Sequence, residues 1–165
     1  MGRIPEGYLP PKELWPSRIY TLPEYRAYPQ KFNSTEELLD NAVAAGKGDR
    51  PALLFEDKKI PYKILLGMVN RLGSSLQALG IEEADRVGLR MPNIPPAIVT
   101  NFAVLKIGGI ILPTSALFSR AEIAHVFNNA EVKAVFVAAP LLEELEKANP
   151  ELKTVKHIVL VGGTP

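Results

Sequence analysis

The sequence contains no cysteine. Disulfides, cysteine-ligated zinc and a cysteine nucleophile are therefore excluded. Histidine is nearly as scarce. His125 and His157 are the only two and lie far apart, which argues against a His-rich metal site. An excess of either charge is missing too: 19 Lys+Arg stand against 18 Asp+Glu, a formal net charge of +1. These charges are interspersed, so there is no electrostatic footprint for nucleic acid or an anionic membrane. The opening MGRIPEGYLPPKELWP has no apolar h-region, so no secretory signal is expected. Pro5 and Gly7 do not fit the myristoylation pattern after Gly2. A cytoplasmic location is the expectation. The longest apolar stretch, Ile94 to Pro113, is broken by Pro95-Pro96, Asn101, Lys106 and Gly108-Gly109. It reads as a buried helix and a buried strand, not as a membrane span.

The phosphate-binding signatures are absent as well. No G-x-G-x-x-G occurs. GKGDR at Gly46 lacks the first glycine and the following Ser/Thr of a Walker loop, and it follows a helix where that loop follows a strand. A plain helix-ending turn accounts for it.

What is present is a chain of 165 residues, 47% hydrophobic, enough for one domain and an arm. Residues 1–32 form the arm. Pro5, Pro10, Pro11, Pro16, Pro23 and Pro29 deny it regular helix or strand bonding. Tyr8, Trp15, Tyr20, Tyr25, Tyr28 and Phe32 make it too aromatic for a disordered tail. The expectation is an extended arm laid against a globular body, with the rings as anchors.

Residues 33–165 form that body. NSTEELLDNAVAAGKG reads as a helix with a capping box at Ser34 and Glu37 and a C-cap at Gly46. PALLFEDKKIPY reads as a hairpin joined at Asp57-Lys58. In PYKILLGMVNRLGSSLQALG, Ile64, Leu65, Met68, Leu72, Leu76 and Leu79 repeat at helical spacing, and Gly80 ends the run. Gly67, Gly73, Ser74 and Ser75 keep part of that helix thin, which invites close packing. From Asp85 strands and helices alternate. RVGLRM is a strand; NIPPAIVTNFAVLKIGG is a helix with Asn93 as its N-cap; IILP is a buried strand. SRAEIAHVFNNA is a helix with Ser119 and Glu122 as its capping box. KAVFVA, PLLEELEKAN and HIVLVGG follow as strand, helix and buried strand. Such alternation predicts an α/β fold, a mainly parallel sheet with helices on both faces, since parallel neighbours need crossover connections.

Ligands of an open parallel sheet bind outside the C-terminal ends of its strands. Those ends are Met91-Pro92-Asn93, Pro113-Thr114-Ser115, Ala138-Ala139-Pro140 and Gly162-Gly163-Thr164. Asn93, Thr114, Ser115 and Thr164 would bring polar side chains there, and helix N-termini free N–H groups. Each also has a purely structural reading as a cap or strand end. Glu143, Glu144 and Glu146 read as a solvated helix face. Neither histidine has an evident partner for acid-base work.

The run from Gly48 to Val137, with DRPAL, the helix opened by Tyr62, DRVGLRMPN, AVLKIGG and RAEI in order, resembles the N-terminal part of AMP-forming acyl-CoA synthetases, the adenylate-forming superfamily. LPPKELWP, LPEYRAYPQKFNSTEELLD and GKGDRPAL resemble the benzoate-CoA and 2-aminobenzoate-CoA ligase branch. Ala84 stands where that family usually has Gly, and such a turn costs more with Ala if its φ is positive. LPTSALFSRAEI replaces the commoner P-x-N-P pattern.

The family's loop S-[SG]-G-[ST]-T-G-x-P-K, its aromatic-Gly-x-Thr-Glu motif, its ribose-binding Asp and its C-terminal lysine do not occur in 1–165. The resemblance therefore implies the N-terminal portion of a ligase that uses ATP, Mg²⁺ and CoA on a carboxylic acid, an aromatic one by branch. The remainder of the ligase would be its partner, and assembly with like chains stays open. No catalytic residue and no metal ligand are expected in 1–165, and no cofactor is expected to bind it tightly. The resemblance also implies CoA contacts at Thr114, Ala116, Leu117 and Phe118; a mere strand-to-helix connection is the structural alternative. Two rival readings of the whole chain are a self-sufficient Rossmann-like binding domain and an interaction module docking through its arm.

Overall fold

The computed structural model describes residues 9–17, 19–27, 29 and 31–162. Helices α1 to α5 are Pro23–Arg26, Tyr62–Ala78, Pro95–Lys106, Arg120–Asn129 and Leu142–Ala148. Strands β1 to β6 are Pro51–Phe55, Lys58–Pro61, Arg86–Arg90, Ile110–Pro113, Val132–Ala138 and His157–Val161. β1 and β2 pair antiparallel as a hairpin. Its turn falls at Glu56-Asp57, one residue before the expected place, and Glu56 takes φ 51. The other four strands form one parallel sheet in the order β4-β3-β5-β6. The expected α/β architecture is present. The Ile94–Pro113 stretch folds as α3, a turn at Gly108 and β4. Among the described residues no helix is long and apolar enough to cross a membrane.

Strand alternation divides the core between the two faces. Val87, Leu89, Ala134 and Phe136 point to one side, against Leu65, Val69 and Leu76 of α2 and Ala97, Ala103 and Val104 of α3. Val135 and Val137 point to the other, against Ile123 and Phe127 of α4 and Leu145 and Ala148 of α5. A register shift beside Arg86 lets Val132 join this second side. α2 and α3 meet closely at Gly73, where a Cβ would stand 3.4 Å from Ile107 Cγ2. The other small residues of α2 do not face a neighbour. Ser74 and Ser75 are exposed and donate to the carbonyls four residues back.

Several expectations need correction. The segment before β1 begins on Asn33, not Ser34. Asn33 Oδ1 accepts from the Thr35 and Glu36 N–H groups, while its Nδ2 donates to the Lys106 carbonyl at 2.9 Å. Glu37 instead accepts from Asn41. The segment winds as two π-helical stretches, Glu36–Asp40 and Val43–Lys47; Gly46 kinks the second at φ 75, and the C-cap position falls on Gly48 rather than on the expected Gly46. Asn93 does not cap α3. Ile94 holds the cap position with no side-chain bond, and Pro95-Pro96 follow at the first two helical positions. Proline has no N–H to satisfy, so no capping side chain is required there.

β4 and β6 are the sheet's outer strands, not buried ones; Ile110, Ile158 and Leu160 are exposed. The arm is corrected as well. It contains two single turns, Lys12–Leu14 and α1, and the rings of Trp15, Tyr20, Tyr25 and Phe32 remain 42–53% exposed rather than buried as anchors. Trp15 Nε1 is bonded within the arm, to the Pro10 carbonyl at 2.8 Å. Tyr8 and Tyr28 lie outside the described residues.

Candidate functional site

With all four strands parallel, the C-terminal ends of β3, β4, β5 and β6 fall along one edge. Asn93, Thr114, Ser115, Ala138 and Gly162 all lie there; Gly163 and Thr164 lie outside the described residues. Asn93 is exposed and makes no capping bond. The edge is dominated by the loop from β4 to α4, which carries Thr114, Ala116, Leu117 and Phe118.

Thr114 prolongs the β3–β4 ladder by one bond, its N–H donating to the Leu89 carbonyl at 2.9 Å. Leu117 is 92% exposed. Phe118 turns inward and packs on the second core. The Leu117 N–H donates to Ser115 Oγ at 3.1 Å and the Phe118 N–H to the Ser115 carbonyl at 3.3 Å. The loop is thus a tight, internally bonded turn.

Beneath it lies Arg90, the last residue of β3, only 1% exposed. Its Nη1 donates to the Ser115 carbonyl at 2.6 Å. Its Nη2 donates to the carbonyls of Ala116 and Phe118 at 3.1 and 3.0 Å, and Nε to that of Leu141 at 3.3 Å. No described carboxylate lies within ion-pair distance of it. Burial lowers the guanidinium pKa, and the charge of Glu144 opposes that shift. Burying a cation without compensation is prohibitive, so the four carbonyl dipoles stand in for its lost water. Sequence reasoning missed this residue. An arginine at a strand end carries no signal that its partners are backbone groups 25 to 51 positions away.

The helix N-termini along this edge do not supply the anion sites expected of them. α3 starts with two prolines. At α4 the Ser119/Glu122 capping box is present, and Glu122 accepts from the Ser119 N–H at 2.9 Å. The Arg120 N–H donates to Glu144 at 3.0 Å. Glu144 is therefore more than part of a solvated face. Its carboxyl is held below the usual range by the Lys147 hydrogen bond first and the Arg120 N–H second. Two carboxylates already occupy the positive end of α4, which leaves it unsuited to a phosphate.

A cleft of about 360 Å³ opens nearby between α2, α3 and the ends of β5 and β6, lined by Met68, Leu72, Pro95, Val99, Phe136 and Val161 among others. Its walls carry no charged side chain, and Thr100 is the one hydroxyl among them. Among the described residues no group of three or more His, Asp or Glu could hold a metal. His125 is exposed on α4 and His157 opens β6; they share no site.

The fold and this edge define an open parallel α/β domain with a loop poised where such sheets take their ligands. Residues 40–165 match the family of AMP-binding enzymes, and the chain belongs to that family. It is 24% identical to the 3-hydroxybenzoate–CoA/4-hydroxybenzoate–CoA ligase of Thauera aromatica over 133 residues, 81% of this chain and 25% of that protein. It is 32% identical to the crotonobetaine/carnitine–CoA ligase of Salmonella paratyphi A over 123 residues, 70% of this chain and 23% of that one. Its fold matches the anthranilate CoA ligase AuaEII, solved in complex with anthranoyl-AMP. The TM-score is 0.80 at 21% identity, covering 85% of this chain and 27% of the other. The chain spans about a quarter of the length of the curated relatives it matches.

Proposed function

We propose that the chain is the N-terminal portion of an ATP-dependent acyl- or aryl-CoA ligase, which joins a carboxylic acid to CoA and releases AMP and pyrophosphate. Family membership over residues 40–165 carries this reading. The division into a 1–32 arm and a 33–165 body belongs to the same proposal, as does a cytoplasmic location. An aromatic acid of the benzoate or 2-aminobenzoate kind is the substrate class we assign. The Thauera aromatica relative, a hydroxybenzoate–CoA ligase by name, supports it.

ATP and Mg²⁺ do not fit the residues of this chain. The Ser/Thr/Gly-rich loop with its lysine is not in the sequence, and the α3 and α4 N-termini are closed to phosphate. We therefore assign no chemical step of adenylation to residues 1–165, and propose that the remainder of the ligase performs it. CoA fits better. Thr114, Ala116, Leu117 and Phe118 are its proposed contacts, with Leu117 offering an exposed apolar body and the loop backbone offering donors. The chain supplies positioning, not acid-base or nucleophilic groups.

ATP–pyrophosphate exchange with benzoate and 2-aminobenzoate tests the reading. Residues 1–165 alone should give no exchange above background, and robust turnover would overturn the proposal. In the coding sequence, the Ser/Thr/Gly-rich phosphate loop is expected within a few tens of codons after Pro165.

A further inference from the structure

Three carbonyls of the loop converge on one buried cation. Ser115, Ala116 and Phe118 all turn their oxygens toward Arg90. Among the described residues no peptide bond is cis, and in a trans peptide the N–H points opposite to the preceding C=O. Fixing the Ser115 oxygen inward therefore fixes the Ala116 N–H outward. Neither that N–H nor the Ser115 N–H has a partner among the described residues, and both residues are exposed. The following outward N–H groups are already taken, that of Leu117 by Ser115 Oγ and that of Ser119 by Glu122. The guanidinium thus turns the Ala116 N–H outward, next to the open Ser115 N–H and the protruding Leu117.

We propose that Arg90 is the positioning residue of this loop. It sets the Ser115–Ala116 peptide plane so that the Ala116 N–H meets an acceptor, an amide carbonyl or phosphate oxygen of CoA, while Leu117 covers the ligand's apolar arm. This rests on the reading of the loop as a CoA contact. Arg90 acts through the loop and does not touch the ligand. Its side chain offers a planar fork of fixed donors, which one lysine ammonium cannot reproduce across four carbonyls.

The test uses the full chain, ¹⁵N-labelled, with Arg90→Lys, Arg90→Gln and Leu117→Ser. Amide exchange and millimolar CoA titration are read residue by residue. In both Arg90 variants the amides of Leu117 to Ser119 should exchange about tenfold faster while those of β5 stay protected. The CoA-induced shift at Ala116 should disappear. Leu117→Ser should keep the loop protected and weaken the CoA shifts. Unchanged loop exchange in folded Arg90→Lys and Arg90→Gln would overturn the positioning role. Faster loop exchange in those variants, with no CoA shift in the parent chain, would instead overturn the CoA reading and leave the positioning role standing. If both Arg90 variants lose β5 protection as well, Arg90 is a support of the whole fold and the proposal fails.

Discussion

Lys133 Nζ lies 2.6 Å from Asp85 Oδ2 and 2.6 Å from the Gly80 carbonyl, tying β5 to the turn between α2 and β3. The same carboxylate oxygen accepts from the Glu82 N–H at 2.7 Å. Both side chains are 23% exposed, so water screens the pair only partly.

Acid should weaken this tie. Burial by itself raises the Asp85 pKa. The Lys133 and Glu82 hydrogen bonds, with the charges of Lys133 and Arg86, outweigh that and leave it below its ordinary value. A carboxyl depressed in the folded state stabilises above its unfolded pKa of about 4, and the contribution is lost as pH falls through the folded value. Asp85→Asn should cost about 1–2 kcal/mol at neutral pH. Urea unfolding should show that deficit shrinking below about pH 4. A deficit independent of pH would remove Asp85 from the acid response.

A second prediction concerns β3 and α4. Gly88 faces Phe127, and a Cβ there would stand 3.0 Å from Phe127 Cζ and 3.2 Å from Val135 Cγ2. Phe127 is fully buried and has little room to retreat. Gly88→Ala should destabilise by about 1–3 kcal/mol through overpacking. Combining it with Phe127→Leu should cost less than the sum of the two, which a double-mutant cycle in urea measures. Strict additivity would show that the ring and Gly88 do not share the strain.

The turn at Ala84 gives the opposite sign. Ala84 takes φ 67, its N–H bonded to the Gly108 carbonyl at 2.9 Å. An L-residue there pays a left-handed penalty that glycine escapes, offset in part by the greater unfolded freedom of glycine. Ala84→Gly should stabilise by about 0.5–1 kcal/mol, read as a raised urea midpoint with an unchanged slope.

These sites differ in how far the sequence announces them. The Ala84 turn was legible, because the matching family position usually holds Gly. The crossover order was legible because each helix carried its own periodicity between strand-like runs. The capping box at Ser119 was legible from two residue types three positions apart. At NSTE, three successive residues can all cap, and sequence cannot say which one tertiary contact selects. Lys106, far along the chain, selects Asn33. β4 and β6 are apolar on both faces, which reads as an interior strand; their outer place follows from a strand order that local pattern does not encode. Arg90 was illegible for the same reason. Its partners are carbonyls, present at every residue, and only the fold chooses four of them.

The arm provides the remaining prediction. Every described residue from Leu9 to Phe32 is exposed where its burial is described, including Leu14 at 71% and Ile19 at 82%. Single exposed apolar residues are ordinary, but a run of them is surface of the kind that meets a partner. Asn33 and Thr35 hold the start of the body, their side chains bonding the carbonyls of Lys106 and Phe102. Removing residues 1–31 should therefore leave body stability unchanged within about 0.5 kcal/mol by urea unfolding followed by circular dichroism. It should also reduce self-association of the chain. Trp15 is the only tryptophan and is 42% exposed, so its fluorescence in the full chain reports the arm separately from the body. Its emission should already be red-shifted in the folded chain and should not follow the body's unfolding transition. A cooperative tryptophan transition coincident with circular dichroism, or a destabilised truncation, would show that the arm is part of the core.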